Sequence, residues 1–557
     1  MEDVTSLIQQ AEQEDNSLFG RIDRHIRLVE KDDYTMRRWD GKPVGNNSEE
    51  SGVFNEHIPE ARLFLRKLTE MAMGMKLNVV VEGDRTAKEQ ENIRNFFTDC
   101  LEDADFILFN QAKWGFIHNN FHNIFLQGWA CGQYLPYTDD GVTLNCELRP
   151  LERRNLVYGA SKKEIAWAAP LTRRSKYDIK LEYDHNIKDE FGAVRDYWDK
   201  DTESVFVTGS DVGYLQSNAS IGQLVKENPN IWGYSPFIIH ACPTGSPLST
   251  SKGIEHRGES VFYELEHIFD DIDFMASLIK TQAYEDLRPA LHKAGSGDGD
   301  PDHYPVPGSV ENTDVPYSLV PRRDMTNAQR AFMNMINDFL QRAGLSAVQY
   351  GSLTFPLSGV SLMQLNQAKE TIMVPRFQTM ALMLQGGHRL LIKQIKAMRD
   401  GGYLENKFTV NGNEYNVDKL LKPHNIKFQF YSESLNDMIT KASVGQSLRG
   451  MLPDKVILRD VFGRPNPDLD DDMLEREAAE RMFPEVMMFE QMHSHITEIE
   501  SENDTHDIQA RMILERLKVA LKQMYAQPEA LKASERPEPL QAPNLLQGGG
   551  GNGQANS

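Results

Sequence analysis

The stretch that decides the fold begins GESVFYELEHIFDDIDFMASLIKTQAYEDLRPALHKAGSGDGDP at residues 258–301. It ends SGVSLMQLNQAKETIMVPRFQTMALMLQGGHRLLIKQIKAMRD at residues 358–400. Val261, Leu265, Ile268, Ile272, Met275 and Ile279 recur at a 3–4 spacing, which predicts a helix over Ile254–Leu287 with one apolar face. Pro289 ends it, because a proline drives the preceding residue out of the helical region. The Gly/Asp run and Pro301, Pro305, Pro307 and Pro316 predict an extended insert, with Tyr317–Val320 as a short strand. A second helix is expected over Thr326–Ala343, capped at Gly344. The uncharged loop Leu345–Leu357 follows, and then a third helix over Ser358–Arg399, roughly 60 Å long at 1.5 Å per residue. Pro375 lies inside that helix, removes one backbone hydrogen bond and should kink it. Two helices around an insert do not make a nucleotide or substrate pocket; they read as one stave of a shared wall.

Working outward, Val4–Gln13, Phe19–Glu30 and Pro59–Met75 read as helices, and Leu77–Val81 as a strand. Glu89–Leu101 and Asp105–Leu126 read as two further helices. Gln133–Tyr137 and Val142–Leu148 flank the turn Asp139-Asp140-Gly141 and predict a hairpin. Strands are also expected at Glu164–Leu171, Tyr177–Tyr183, Ser204–Thr208 and Phe237–Ala241, then at Lys407–Val410, Glu414–Val417 and Ile426–Phe430. The fold class is therefore α+β, mainly helical. Residues 433–525 read as helical and 526–557, rich in Pro, Gln and Gly, as a disordered tail.

The 557 residues carry a formal net charge of -22. That argues against a surface that grips phosphates, which needs clustered Lys and Arg, but not against a wall past which DNA slides. Cys100, Cys131, Cys146 and Cys242 form no C-x-x-C pair, so buried free thiols are expected rather than zinc or a redox centre. No run of 18 uncharged apolar residues occurs, and Met1–Asp15 is unlike a signal peptide, so neither membrane nor export is expected.

Motifs of chemistry are weak. Asp298-x-Asp300-x-Asp302 opens like a calcium loop, but His303 and Ser309 stand where Gly and Glu belong. His493 and His495 would point to different faces of a helix, with His506 further on. Asp468, Asp470, Asp471 and Asp472 suit a helix N-terminus better than magnesium. Gly41-Lys42 lacks the rest of a phosphate loop, and no G-x-S-x-G or H-E-x-x-H appears. No catalytic residue, metal or cofactor is expected. Lys162-Lys163 and Arg173-Arg174 read as solvated pairs, or as salt bridges between subunits of a ring.

The order of these elements, with Gly258-Glu259-Ser260 opening the first long helix and Ser358-Gly359-Val360-Ser361 opening the kinked one, resembles tailed-phage portal proteins. The resemblance covers residues 20–525. It implies a dodecameric ring at one capsid vertex, through which double-stranded DNA enters and leaves. It also implies the terminase large subunit, tail adaptors and the major capsid protein as partners, and a virion location after assembly in the host cytoplasm. By that likeness residues 1–260 are the wing, 261–288 the first stem helix, 289–323 the clip and 324–344 the second stem helix. Residues 345–357 are then the tunnel loop, 358–432 the long helix and returning wing strands, and 433–525 the crown. Gln349, Tyr350, Leu353, Thr354 and Phe355 would face DNA. Asp270, Asp271 and Asp273 are candidates to line the channel, their charge keeping the polyanion off the wall. His292, Lys293, His303 and Tyr304 would belong to the docking surface of the clip. A head–tail connector or scaffold without motor docking is the alternative.

Overall fold

The computed structural model describes residues 2–37, 43–44, 54–82, 86–162, 164–209, 222–287, 291–293, 317–319, 330–336, 359–431, 445–449, 451–453 and 456–458. The loop 345–357, His303 and Tyr304, the tail and nearly all of 433–525 lie outside these residues. The chain divides into two compact units, Met1–Asp437 and Met438–Ser557. Of the second unit, helical turns at 445–448 and 456–458 are described.

The first unit is mixed α+β. It opens with α1 (Glu2–Glu14), α2 (Asn16–Glu30), α3 (Glu60–Met73), β1 (Lys76–Glu82), α4 (Ala87–Asn110) and α5 (Phe116–Gln127). Next come β2 (Trp129–Tyr137), β3 (Asn145–Pro150), β4 (Leu156–Ala160), β5 (Ile165–Ser175), α6 (Lys176–Tyr183), β6 (Phe191–Trp198), β7 (Thr202–Thr208), β8 (Gln223–Pro229) and β9 (Phe237–Ala241). The short α7 (Ser251–Glu255) precedes α8 (Glu266–Leu287), then β10 (Leu291–Lys293) and β11 (Tyr317–Leu319). Residues 330–336 form α9, followed by α10 (Gly359–Asp400), β12 (Lys407–Val410), β13 (Asn413–Asn416), α11 (Val417–Leu421) and β14 (Asn425–Tyr431).

The strands form a five-stranded meander, β4-β5-β6-β7-β8, and a three-stranded sheet, β3-β2-β9. The remaining pairs are β1-β14, β10-β11 and β12-β13. All these pairings are antiparallel, which needs no crossover helices. The β1-β14 pair joins residues 76–82 to 425–431, so the chain returns to its first strand.

One large core explains the length of α10. Met373, Met380, Met383, Leu384, Leu391, Ile395 and Met398 are buried along it at helical spacing. They share a cluster with Phe64, Phe96, Phe97, Phe121 and Phe125 of α3, α4 and α5, with Val261, Phe262 and Leu265 of the turn that leads into α8, and with Phe269 in its first turn. The helix runs unbroken through Pro375. Thr379 Oγ1 donates to the Pro375 carbonyl at 2.8 Å, and the Arg376 guanidinium donates to that of Ile372.

The N-terminal helices are held by buried arginines of β6 and the β3–β4 connection. Asp15 pairs with Arg153 at 2.5 Å, Asp23 takes Arg154 at 2.5 and 3.1 Å, and Glu12 pairs with Arg195 at 2.6 Å. Arg153 also lies against the rings of Phe19, Trp129 and Tyr158, so its flat cation is both paired and stacked.

Several expectations are corrected. Tyr177–Tyr183 is the helix α6, because Ser175 caps it by accepting from Asp178 N–H at 3.2 Å. The alternation of Tyr177, Ile179, Leu181 and Tyr183 mimics a strand, yet only Ile179 is buried. The pair of helices expected over 89–126 divides elsewhere. α4 starts at a Thr86/Glu89 capping box and runs to Asn110, and Asp105 then accepts the first amide of α5, Phe116 N–H, at 2.6 Å. The helix expected over Ile254–Leu287 is interrupted at 256–265, where Gly258 has φ +65°. β4, β6, β8 and β10 were not expected from the sequence; β6 carries the buried Arg195 and Asp196, which break its apolar signal.

A histidine pair joins α10 to the lead-in of β14. His424 Nδ1 faces the Lys422 carbonyl at 2.9 Å, so that nitrogen carries the proton and donates. His424 Nε2 is therefore an acceptor, and His388 Nε2 donates to it across 2.8 Å. Burial, then the nearby His424 and Arg389, push the His388 imidazole down to about 3. The unfolded chain takes that proton below the ordinary value of about 6.5, so stability rises with pH between these limits and falls on acidification. His388→Gln keeps a donor to His424 but does not titrate. It should reduce the stability lost between pH 7 and pH 4.5 by roughly 2–3 kcal/mol in urea unfolding. Equal losses in the two proteins would refute the assignment.

Candidate functional site at the root of the first long helix

Gly258-Glu259-Ser260 builds the turn from which α8 departs, and each residue has a separate task. Gly258 lies against Gly128, the left-handed cap of α5. A Cβ on Gly128 would stand 1.9 Å from the Gly258 carbonyl oxygen, so neither backbone tolerates a side chain between them. Buried Arg21 donates to the carbonyls of Arg257 at 3.2 Å and Gly258 at 2.9 Å, and the Trp129 indole donates to Arg257 at 3.2 Å. Burial lowers the Arg21 guanidinium to about 10 against the pull of Glu259 and Glu255, so it stays charged at neutral pH. The Glu259 carboxylate faces His256 Nδ1 at 3.1 Å, while its backbone carbonyl accepts from Thr244 Oγ1 at 2.8 Å.

Ser260 Oγ lies 2.9 Å from His25 Nδ1, and His25 Nε2 faces Glu266 at 3.5 Å. A hydroxyl, an imidazole and a carboxylate in this order resemble a hydrolytic triad. The imidazole is 0% exposed, however, and Ser260 Oγ accepts the Phe262 amide at 3.1 Å, so the set caps a turn where no substrate reaches it. Burial lowers the His25 imidazole, and the imidazole in turn holds the Glu266 carboxyl below its usual range. Among the described residues no group of three His, Cys, Asp or Glu is placed to hold a metal.

Beyond the turn, α8 carries a ladder. Asp273, Ser277 and Thr281 stand at i, i+4 and i+8, and residues 54–58 run antiparallel along them as an extended strap. Ile58 N–H donates to Asp273 at 2.9 Å, Glu56 N–H to Ser277 Oγ at 2.8 Å and Phe54 N–H to Thr281 Oγ1 at 3.0 Å. The fit is metric: two extended residues advance about 6.6 Å and four helical residues about 6.0 Å. Alternate amides of the strap therefore meet successive turns of the helix. Lys280 pairs with Glu56 alongside.

Asp273 is consequently not a channel-lining acid. It is 2% exposed and takes Lys31 Nζ at 2.8 Å and His57 Nδ1 at 2.9 Å besides the Ile58 amide. Asp270 pairs with Lys31 at 3.0 Å on the open side, and the two carboxylates hold the Lys31 ammonium above its usual range despite burial. Asp271 is half-buried, raised by burial and by Asp270, and makes no ion pair among the described residues. His292 and Lys293 stand on β10, opposite Ser318 and Tyr317. Arg173 lies over the Phe191 ring and Arg174 pairs with Glu182, so both serve their own chain. The four cysteines are buried and unpaired. Lys31, Glu56, His57, Ser277 and Thr281 were missed in the sequence reading. The signal was available: Asp, Ser and Thr at a spacing of four mark one helix face.

Asp273→Ala should cost about 3 kcal/mol in urea unfolding, because it strands a lysine, a histidine and an amide. A loss under about 1 kcal/mol would show that these groups find other partners.

Two surface grooves hold about 190 Å³, beside Glu89 and Lys419, and about 210 Å³, beside Met73 and Phe109. Both are smaller than the 300–1,000 Å³ or so usual for a small-molecule site. No protein-family model matches the chain, and no curated protein matches it. No helix among the described residues is long and apolar enough to cross a membrane.

Proposed function

We propose that the chain is the subunit of a tailed-phage portal, a ring-shaped conduit at one capsid vertex through which genomic DNA is packaged and ejected. One observation carries the reading. The lead-in and first turn of α8 and the second half of α10 belong to a single core, through Phe262, Leu265 and Phe269 on one side and Met380, Leu384 and Leu391 on the other. The chain between these two points begins and ends at the same core. Its described parts run helix, hairpin, helix, long helix. A segment with fixed ends suits a ring, where copies related by rotation would set these segments side by side as a tube.

In this reading α8 and α9 are stem helices, β10 and β11 belong to the clip that docks the terminase motor and later the tail adaptors, and 345–357 is the tunnel loop. The protein is structural and does no chemistry of its own. The balance of -22 keeps DNA from adhering to the assembly. With Asp273 committed to the strap, Asp270 and Asp271 are the remaining acids proposed for the channel side. Sedimentation of the full chain should reveal species many times the 63.4 kDa of one copy. A single 63.4 kDa boundary at all concentrations would count against the ring.

A further inference from the structure

Arg21, Arg153, Arg154, Arg195 and Arg376 are the buried arginines among the described residues, and four of them are answered by carboxylates. Arg153, Arg154 and Arg195 pair with Asp15, Asp23 and Glu12, and Arg21 lies in the field of Glu259 and Glu255. Arg376, 6% exposed on α10, is the exception. Its Nη1 donates to the Ile372 carbonyl, while its Nε is buried without an acceptor. No carboxylate of the described residues pairs with it. Burial lowers the guanidinium from its ordinary value, and the Cys242 thiol is the acid that pulls the other way.

A buried cation without an anion is costly, because its lost hydration is not replaced. A carboxylate arriving from outside the folded chain removes that cost. The open edge of Arg376 has the right shape for one. With Nη1 turned to Ile372, the Nε–Nη2 edge of the planar fork is left to take both oxygens of a carboxylate. Met373 and Met380, one turn to either side on the same helix face, are core residues, so the stem of the arginine is held before an acid arrives. The outward side of the same turns carries uncovered apolar surface, with Val374 44% and Leu382 52% exposed. The complementary charge is in excess on the chain itself, which has 82 Asp and Glu against 60 Lys and Arg. A second copy therefore presents carboxylates in surplus.

We propose that Arg376 receives a carboxylate from a second copy of this chain, and that residues 372–382 of α10 lie in the contact between copies. In a ring that contact is heterologous, with the fork on one copy and the acid on the next, so every copy uses both halves. The proposal rests on the portal reading for self-association alone; that reading does not by itself place Arg376 in a contact.

Sedimentation velocity of the full chain over a range of concentrations tests this with wild type, Arg376→Met and Arg376→Lys. Methionine fills the path of the stem without the charge, and lysine keeps the charge without the fork. Arg376→Met should raise the concentration of half-association by about 10-fold or more, and Arg376→Lys by less. Urea unfolding, at dilutions where wild type sediments as one 63.4 kDa copy, should find the Met variant at least as stable as wild type, since no acid of its own chain is stranded. Unchanged association in both variants would overturn the proposal. So would a Met variant whose urea midpoint falls, because the arginine would then serve its own chain. The two readings also fail differently. A wild type that stays at 63.4 kDa at every concentration overturns the ring and this contact together. An associating wild type with an indifferent Arg376→Met overturns this contact alone.

Discussion

Gly128→Ala is expected to lose more than about 4 kcal/mol of stability, enough to leave little soluble protein. The new Cβ would lie 1.9 Å from the Gly258 oxygen, 2.5 Å from its carbonyl carbon and 2.9 Å from that of Glu259, all backbone atoms that cannot swing aside. The same junction holds three hydrogen bonds. Gly128 N–H donates to Ile124, Cys242 N–H to Gly128, and Val261 N–H to Phe125. A shift there separates α5, the end of β9 and the lead-in to α8 together. Gly233 supplies the control: its φ is +70°, close to the +78° of Gly128, and nothing lies within 4 Å of its Cβ position. Gly233→Ala should cost only the left-handed penalty, about 1 kcal/mol. Urea unfolding of both variants isolates the clash, and equal losses would mean that the backbones at 128 and 258 do not touch.

The second large effect is functional. Replacing 289–323 by a short Gly/Ser linker should leave the body folded and abolish DNA packaging. The chain on both sides of this segment is anchored in one core, at Phe269 before it and Met373 after it. Within the replaced segment, the described strands pair with one another, Leu291 with Leu319, His292 with Ser318 and Lys293 with Tyr317. Their removal therefore takes no strand from the body sheets, and a change of loop length alone alters stability by less than about 1 kcal/mol. Nuclease-protected genome in particles carrying the variant should fall to background. Packaging at the normal level with the linker in place would refute the assignment of this segment to motor docking.

How much of this was legible depended on how local the cause was. The hairpin at Asp139-Asp140-Gly141 was readable because the turn is set by its own residues, with Asp140 accepting from Val142 N–H at 2.9 Å and Thr143 N–H at 2.6 Å. The long helix was readable because one apolar stripe persists from Met373 to Met398. Tyr177–Tyr183 misled because a single capping bond at Ser175 outweighs an alternating pattern that buries only Ile179. The break at Gly258 was invisible for a different reason: its partner, Gly128, is distant in sequence and close only in the fold. Asp273 looked like one more acid on a charged helix until the strap, Lys31 and His57 closed over it. The ladder itself followed a rule that sequence can show, and the strap that occupies it did not.

Negative-stain images of the purified full-length protein test the central claim most directly. The portal reading predicts rings, seen end-on, with a central hole wide enough for a DNA duplex. Fields of small compact particles without a hole, at concentrations where the chain is folded and soluble, would contradict it.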